Sequence, residues 1–162
     1  MLVIGASGGV GSFAVQLAAH AGATVIAPGL PEDEDHLRGL GVAEIIDRDG
    51  DVAATVRDRY PDGVDALLDL VSPAPDALDA YAGVVRGGGR VVSSVGAAGE
   101  GPDHSNIGAV PSPANLERLA RLLDAGTLSV PIRATYPLAQ ADQALKALTT
   151  QHTQGKLSIT LP

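Results

Sequence analysis

A group of small residues near the start of the chain has the spacing of a phosphate-binding turn. Ala6, Gly8 and Gly11 form the pattern A-x-G-x-x-G between the apolar run 1–4 and an Ala-rich stretch at 12–21. Small residues at such a turn let backbone N–H groups approach a pyrophosphate at a helix N-terminus. The pattern alone has low specificity, and its position between a strand and a helix raises it. We therefore predict a dinucleotide site here; the alternative is a tight strand-to-helix turn that binds no ligand.

The residue types give little support for a metal site or for acid–base or nucleophilic catalysis. The chain has no cysteine, and its four histidines show no ligand spacing, so we predict no metal site. No tyrosine is followed four residues later by lysine, no lysine follows the glycine turn, and no Ser-His-Asp order carries a supporting motif. His104, in the polar run 103–106, could donate a proton. We favour the alternative that His104 is a solvated loop residue.

The elements that must hold this turn alternate regularly along the chain. Buried strands are predicted at 23–27, 44–46, 64–71 and 90–95, and helices at 52–60, 74–84 and 113–125, with Gly22 and Gly126 ending helices. This alternation predicts an α/β protein with a doubly wound parallel sheet, a Rossmann fold. A ligand would lie across the carboxyl ends of its strands.

Two connecting segments have a composition of their own. Pro31 and the acidic run 32–35 are typical of a first helical turn, which we interpret as a solvated helix start. The segment 96–113 is rich in Gly, Pro, Ser and Asn, and we predict a loop over the site, interrupted by a short strand near 107–110.

Composition narrows the choice of class and partner. The chain has 162 residues, the length of one domain, and is 45% hydrophobic but only 2% aromatic, so its core must consist of aliphatic side chains. The net charge is −8 and Lys146 and Lys156 are the only lysines, so we expect no nucleic-acid partner. No apolar run has the length of a membrane span and no basic leader precedes the first strand, so we expect no membrane association and a cytoplasmic protein.

Several ordered motifs, taken together, are more specific than the glycine turn. They are residues 5–11 (GASGGVG), 14–18 (AVQLA), 40–47 (LGVAEIID), 63–69 (GVDALLD), 87–92 (GGGRVV), 136–138 (YPL) and 152–157 (HTQGKL). On these motifs the chain resembles the nucleotide-binding domain of the medium-chain dehydrogenase/reductases, in their zinc-independent, quinone oxidoreductase-like branch. The resemblance covers almost the whole chain.

The resemblance implies binding of NAD(P)H and metal-independent hydride transfer to or from a small quinone, enone or carbonyl compound. It assigns the pyrophosphate to Ser7, Gly8, Gly9 and Val10, the adenosine ribose to Gly29 and Leu30, the 2′-phosphate region to Arg48, and the inner ribose and nicotinamide to Val71, Ser72, Val95 and Gly96. It identifies no catalytic residue. Val71 and Val95 are also ordinary strand ends, and Arg48 is also an ordinary surface charge.

The choice between NADP and NAD depends on the end of the second strand. Proteins that select NAD place an acid there, about twenty residues after the glycines, to accept from the ribose 2′-hydroxyl. That position is Gly29 here, and Arg48 could contact a 2′-phosphate, so we predict NADP(H) over NAD(H). The acidic run at 32–35 would favour NAD(H) if it faced the ribose.

The resemblance also divides the chain. It implies a dinucleotide-binding domain at 1–132 and an extension at 133–162 that, in the family, packs on a GroES-like catalytic domain preceding these residues. The apolar strands of the extension must then pack against the edge of their own sheet, a second copy of the chain or a separate subunit. We therefore predict self-association or pairing with a catalytic-domain partner. Two interpretations remain: the cofactor-binding part of an oxidoreductase, or a non-catalytic NAD(P)-binding sensor or scaffold.

Overall fold

The computed structural model describes residues 1–162. Its strands are β1 (Leu2–Ile4), β2 (Ile26–Gly29), β3 (Glu44–Asp47), β4 (Val64–Asp69), β5 (Val85–Ser93), β6 (His104–Asn106), β7 (Ile132–Pro137) and β8 (Lys156–Thr160). Its helices are α1 (Gly11–His20), α2 (Glu34–Leu40), α3 (Val52–Arg59), α4 (Pro75–Ala82), α5 (Pro113–Asp124) and α6 (Ala141–Thr150). Short 3₁₀ turns precede α2 and α6, at Pro31–Asp33 and Leu138–Gln140.

Six strands form one parallel sheet in the order β3-β2-β1-β4-β5-β6. Leu2 of β1 pairs with Ile26 of β2 on one side and with Leu67 of β4 on the other. The chain reverses its direction of progress across the sheet between β1 and β4, and in such folds ligands bind beyond the carboxyl ends of the strands at that switch point. The prediction of a doubly wound α/β sheet is confirmed.

The side chains of the central strand alternate between two aliphatic cores. Leu2 and Ile4 belong to the larger cluster, which includes Val56 of α3 and Leu78 of α4. Val3 belongs to the cluster on the other side, with Val15 of α1 and Leu37 of α2 among its members. Helices therefore cover both faces of the sheet, which explains why buried strands read as continuous apolar runs. This packing fixes the turns at the carboxyl ends of β1, β2 and β4 relative to one another.

Several strand ends differ from the sequence predictions. β2 begins at Ile26, rather than at residue 23, and continues to Gly29. β4 ends at Asp69 and β5 at Ser93, so Val71 and Val95 lie in turns beyond the strands. β5 begins at Val85, because it pairs with Val64 before a register shift in the following Gly-rich stretch.

The loop at 96–113 contains its short strand earlier than predicted. β6 is at His104–Asn106 rather than 107–110, and it pairs with Val91, Val92 and Ser93 of β5. The prediction followed the apolar residues, whereas backbone pairing places the more polar stretch on the sheet edge. His104 is half-buried on this strand and its Nδ1 lies within hydrogen-bonding distance of the Ala98 carbonyl oxygen. The interpretation of His104 as a solvated loop residue was therefore wrong.

The last part of the chain forms a second, two-stranded parallel sheet from β7 and β8, connected through α6. These strands pair with each other and not with the edge of the main sheet, so the first of the three locations considered for them is excluded. No helix has the length and apolar character that crossing a membrane would require.

Candidate functional site

A cleft of about 530 Å³ opens at the switch point between β1 and β4. Residues from several separate elements line it: Ile4, Gly5, Ser7, Gly8, Pro28, Arg48, Val71, Tyr81, His152 and Thr153. Four of the predicted contact residues are therefore together in one cavity, namely Ser7, Gly8, Arg48 and Val71. The size and position of the cleft fit a small-molecule or cofactor site.

The glycine turn packs closely enough to require its glycines. A Cβ on Gly11 would lie 2.0 Å from the Gly5 carbonyl oxygen and 2.6 Å from that of Ala6. Gly5 itself has φ +84°, a conformation that other residues rarely adopt. The turn therefore brings the start of α1 directly against the end of β1.

Three consecutive backbone N–H groups at the start of α1 donate to no other group of the protein. They belong to Gly9, Val10 and Gly11, whereas the next amide, Ser12 N–H, donates to the Gly8 carbonyl oxygen at 2.9 Å. Unpaired amides and the positive end of the helix dipole at a helix N-terminus favour an anion. The geometry at 7–11 is therefore that of a phosphate-binding turn.

A cation from the far end of the chain lies over the same turn. Lys156, the first residue of β8, has its Nζ 2.9 Å and its Cδ 2.8 Å from the position that a Cβ would take on Gly9. The Gly155 N–H donates to the Ser7 carbonyl oxygen at 2.8 Å, which fixes this approach. The ammonium group and the amides of Gly9 and Val10 are thus available to one anion.

The turn after β2 contains a buried acid. Asp33 has a side chain only 1% exposed, and its Oδ1 accepts from His152 Nε2 at 2.7 Å and from Gln154 Nε2 at 2.9 Å. Its Oδ2 accepts from the Leu30 N–H at 3.1 Å. Burial alone would raise the pKa of the Asp33 carboxyl, but these hydrogen bonds outweigh it and hold that pKa below its ordinary value. The interpretation of 32–35 as a solvated helix start is therefore wrong for Asp33.

The remaining predicted ribose contacts lie beside this acid. Gly29 and Leu30 line a neighbouring depression of about 230 Å³, together with Asp47 at the end of β3. Arg48 follows Asp47, its N–H donates to the Gly29 carbonyl oxygen at 3.1 Å, and its exposed guanidinium takes part in no ion pair. A positive charge is therefore available near the end of β2.

A buried carboxylate organises the other side of the cleft. Asp69 Oδ1 accepts from the hydroxyl of Ser72 at 2.7 Å and from its N–H at 3.0 Å, and Oδ2 accepts from the hydroxyl of Ser93 at 2.8 Å. Ser93 Oγ in turn accepts from the N–H groups of Val95 at 3.2 Å and Ala97 at 3.1 Å. One side chain thus fixes the turns after both β4 and β5.

The structure does not gather all the predicted residues into the cleft. Ser72 is buried against Asp69, while Val95 and Gly96 are exposed in the turn after β5. Val10 is 59% exposed just before α1, and Gly9 lies beneath the Lys156 side chain. The turns after β1, β3 and β4, with Pro28 of β2, therefore line the cleft, and the turn after β5 lies outside its lining.

A sequence model of the family described as zinc-binding dehydrogenase matches residues 40–159. The chain belongs to this family of dehydrogenases. The resemblance of the sequence to the nucleotide-binding domain of the medium-chain dehydrogenase/reductases is thus confirmed.

Relatives of this dehydrogenase domain extend the match to the glycine turn. The spectinabilin polyketide synthase system protein NorB of Streptomyces orinoci is 34% identical over 100% of this chain and 8% of its own length. The human mitochondrial NAD(P)H oxidoreductase RTN4IP1 is 27% identical over 98% of this chain and 47% of its own. The solved quinone oxidoreductase of Coxiella burnetii superposes with a TM-score of 0.82 at 27% identity, over 96% of this chain and 50% of that one. The chain therefore spans half or less of these relatives.

Zinc, which the family description names, does not fit the residues of this dehydrogenase domain. No three His, Asp or Glu side chains come together as a metal site, and the chain has no cysteine. A nicotinamide dinucleotide does fit, because unpaired amides at the N-terminus of α1 and the Lys156 ammonium close to Gly9 are groups that bind phosphates.

Sequence reasoning missed four polar residues of this site: Asp33, Asp69, His152 and Lys156. The motif at 152–157 contained two of them, but nothing in the local sequence shows what they contact, since Asp33 and His152 are 119 residues apart. Asp69 had a usable signal, because an acid that ends a buried strand needs several hydrogen-bond donors.

Proposed function

We propose that this chain is the cofactor-binding part of an oxidoreductase that transfers hydride between a nicotinamide dinucleotide and a small quinone, enone or carbonyl compound. The observation that carries the proposal is the closeness of the Lys156 ammonium to Gly9 at the N-terminus of α1, where the Gly9 and Val10 amides have no acceptor in the protein. Amides in a fixed array and one mobile cation suit the two negative charges of a diphosphate.

The rest of the cofactor would then follow the cleft in both directions. Towards β2, the adenosine ribose would lie near Gly29 and Leu30, with Arg48 beside it. Towards β4 and β5, the inner ribose and nicotinamide would lie near Val71, whose exposed side chain gives an apolar surface for one ring face. The network around Asp69 would keep that surface rigid, so that the hydride-carrying carbon is presented in a fixed orientation.

NADP(H) is the cofactor that we infer. Arg48 has no acidic partner and could make a charge-assisted contact with a 2′-phosphate. The acid nearest the end of β2, Asp33, is buried and already accepts three hydrogen bonds. The exposed carboxylates of Glu34 and Asp47 in the neighbouring depression would oppose a 2′-phosphate, so the unpaired Arg48 guanidinium is the feature that supports the phosphorylated cofactor.

The substrate class rests on the relatives. A chloroplastic NADPH-dependent alkenal/one oxidoreductase of Arabidopsis thaliana is 28% identical over 98% of this chain and 40% of its own length. The CurK enoyl reductase superposes with a TM-score of 0.81 at 25% identity, over 99% of this chain and 54% of that one. An alkene conjugated to a carbonyl is common to the substrate types in these names, and we propose that this chain serves reduction of the same group.

Titration of NADPH and NADH into the purified protein, followed by nicotinamide fluorescence, tests cofactor binding. The decisive variant is Gly9→Asp, because its carboxylate would occupy the position between the turn and Lys156 and repel a diphosphate. Gly9→Asn is the matched control, since it adds nearly the same volume without the charge. We expect micromolar binding that falls at least about tenfold further in Gly9→Asp than in Gly9→Asn, roughly 1.4 kcal/mol. Equal affinities in the two variants, or no binding by the unmodified protein, would refute the proposal.

We also propose that the extension at 133–162 packs on another surface, from a second copy or a catalytic-domain partner. It exposes large apolar side chains to solvent: Leu138, Leu145, Leu148, Ile159 and Leu161. Such a set of exposed side chains is typical of an interaction face. Light scattering at micromolar concentration tests self-association, and a clean monomer would leave only the separate partner.

A further inference from the structure

An acidic side chain lies close to the end of β2, although the sequence position at which NAD-selective proteins carry an acid holds glycine. The Cβ of Asp33 is 3.6 Å from the position that a Cβ would take on Gly29, the last residue of β2. Its carboxylate turns back under the strand end and accepts from the Leu30 N–H. The 3₁₀ turn at Pro31–Asp33 makes this return possible. In space, therefore, an acid does stand at the carboxyl end of β2.

His152 covers this acid on the side of the cleft. Asp33 is 1% exposed and does not line the cleft, whereas the His152 side chain is 31% exposed and does. The imidazole Nε2 and the Asp33 carboxylate are 2.7 Å apart, so the ring takes up the position from which a ribose hydroxyl could otherwise reach Asp33. Gln154, two residues after His152, donates from its Nε2 to the same Asp33 Oδ1 and also to the Glu32 carbonyl oxygen, each at 2.9 Å.

The covering changes which group the cofactor meets. An uncovered Asp33 would present two lone-pair oxygens, which accept from a 2′-hydroxyl and repel a 2′-phosphate. With His152 in place, no carboxylate lines the cleft, and the Arg48 guanidinium on its wall can donate to a phosphate. A single contact between distant parts of the chain would therefore reverse the preference that an uncovered acid would produce.

We propose that His152 is a specificity-determining residue that selects NADP(H) by covering the Asp33 carboxylate. This proposal rests on the proposed function, because it needs the adenosine ribose to lie near the end of β2. His152 is a positioning residue: it disfavours NADH by keeping the Asp33 carboxylate away from the ribose.

The test compares His152→Ala with His152→Gln, and with the double variant His152→Ala, Asp33→Asn. Glutamine keeps an N–H that can reach Asp33, and the double variant removes the charge that His152→Ala uncovers. Affinities for NADPH and NADH are measured by nicotinamide fluorescence, and 2′,5′-ADP and 5′-ADP serve as competing probes that lack nicotinamide. Circular dichroism confirms that each variant is folded.

We expect His152→Ala to lower the NADPH-to-NADH affinity ratio about tenfold or more, the size of effect that one uncovered charge near a phosphate produces. We expect His152→Gln and the double variant to recover most of that ratio, and the probe pair to change in parallel. An unchanged ratio in His152→Ala, or equal loss of affinity for both nucleotides, would show a structural tie only and would overturn the proposal. Failure of the proposed function would give a different result, because the unmodified protein would then bind neither nucleotide. The specificity proposal would be refuted with it.

Discussion

Replacement of Gly11 by alanine should destabilise the domain far more than replacement of Gly8, three positions earlier in the same turn. An added Cβ at Gly11 would stand 2.0 Å from the Gly5 carbonyl oxygen, 2.6 Å from the Ala6 oxygen and 2.7 Å from the Ala6 carbonyl carbon. All three are backbone atoms, so no side chain can rotate away. At Gly8 the nearest atom is the Gly5 oxygen at 3.5 Å, an ordinary contact.

The magnitude follows from the overlap. Ordinary carbon–oxygen contacts are about 3.3 Å or longer, so the start of α1 must move by about 1 Å from the end of β1. Overpacking of this kind costs about 1–3 kcal/mol or more, and the better helix propensity of alanine recovers at most about 1 kcal/mol. Because all three contacts are with backbone atoms, we take the upper end of that cost and expect Gly11→Ala to lower the free energy of unfolding by about 2–3 kcal/mol, out of the about 5–15 kcal/mol that stabilises a domain.

Urea denaturation followed by circular dichroism measures the change directly, and the midpoint of thermal unfolding should fall by about 4–12 °C for a chain of this size. Gly8→Ala should remain within about 0.5 kcal/mol of the unmodified protein, as surface substitutions usually do. It should nevertheless weaken dinucleotide binding, because Gly8 lines the cleft. Equal stability of the two variants would refute the close contact between Gly11 and the end of β1.

Three further predictions concern buried or half-buried polar groups. Asp69→Asn should cost about 1–3 kcal/mol in denaturant unfolding, because an amide cannot accept from both serine hydroxyls that the carboxylate holds. Tyr60→Phe should cost about 0.5–1 kcal/mol by the same assay, since Tyr60 donates to the partly exposed Glu44 at 2.5 Å. That hydrogen bond raises the pKa of Tyr60, so its contribution is complete below the ordinary value of 10.0 and is lost as pH rises through the folded-state pKa. Asp33, whose folded-state pKa lies below the ordinary 3.8, should lose its contribution as pH falls below that value, and Asp33→Asn should flatten the acid limb of a pH-stability curve.

The parts of the fold that sequence predicted correctly depend on local patterns. The run Leu2–Ile4 and the glycines after it determine a strand, a tight turn and a helix through contacts within a few residues. Gly22 and Gly126 adopt φ +86° and +68° after α1 and α5, as their positions suggested. The doubly wound sheet then follows from the order of the elements, because parallel crossovers have one favoured hand.

The parts that sequence did not predict depend on contacts between distant residues or on backbone pairing. β6 is held by hydrogen bonds to β5 and not by an apolar pattern, so its polar sequence concealed it. Asp33 looked like one acid in a solvated run, and its burial becomes visible only once residues 152–154 are placed against it. Lys156 had no local feature that connected it with Gly9.

These long-range contacts have one physical consequence for binding. The segment 152–156 contacts the turn after β1 through Ser7 and Gly9, and the turn after β2 through Asp33. In the proposed binding mode the two turns would enclose the adenosine diphosphate half of the cofactor, so a ligand bound there would stabilise the same arrangement that the segment stabilises. Binding of the dinucleotide and docking of the segment are therefore thermodynamically linked, and each must favour the other by the same free energy. Loss of the Gln154 contact to Asp33 should accordingly weaken binding of both nucleotides, although Gln154 does not line the cleft.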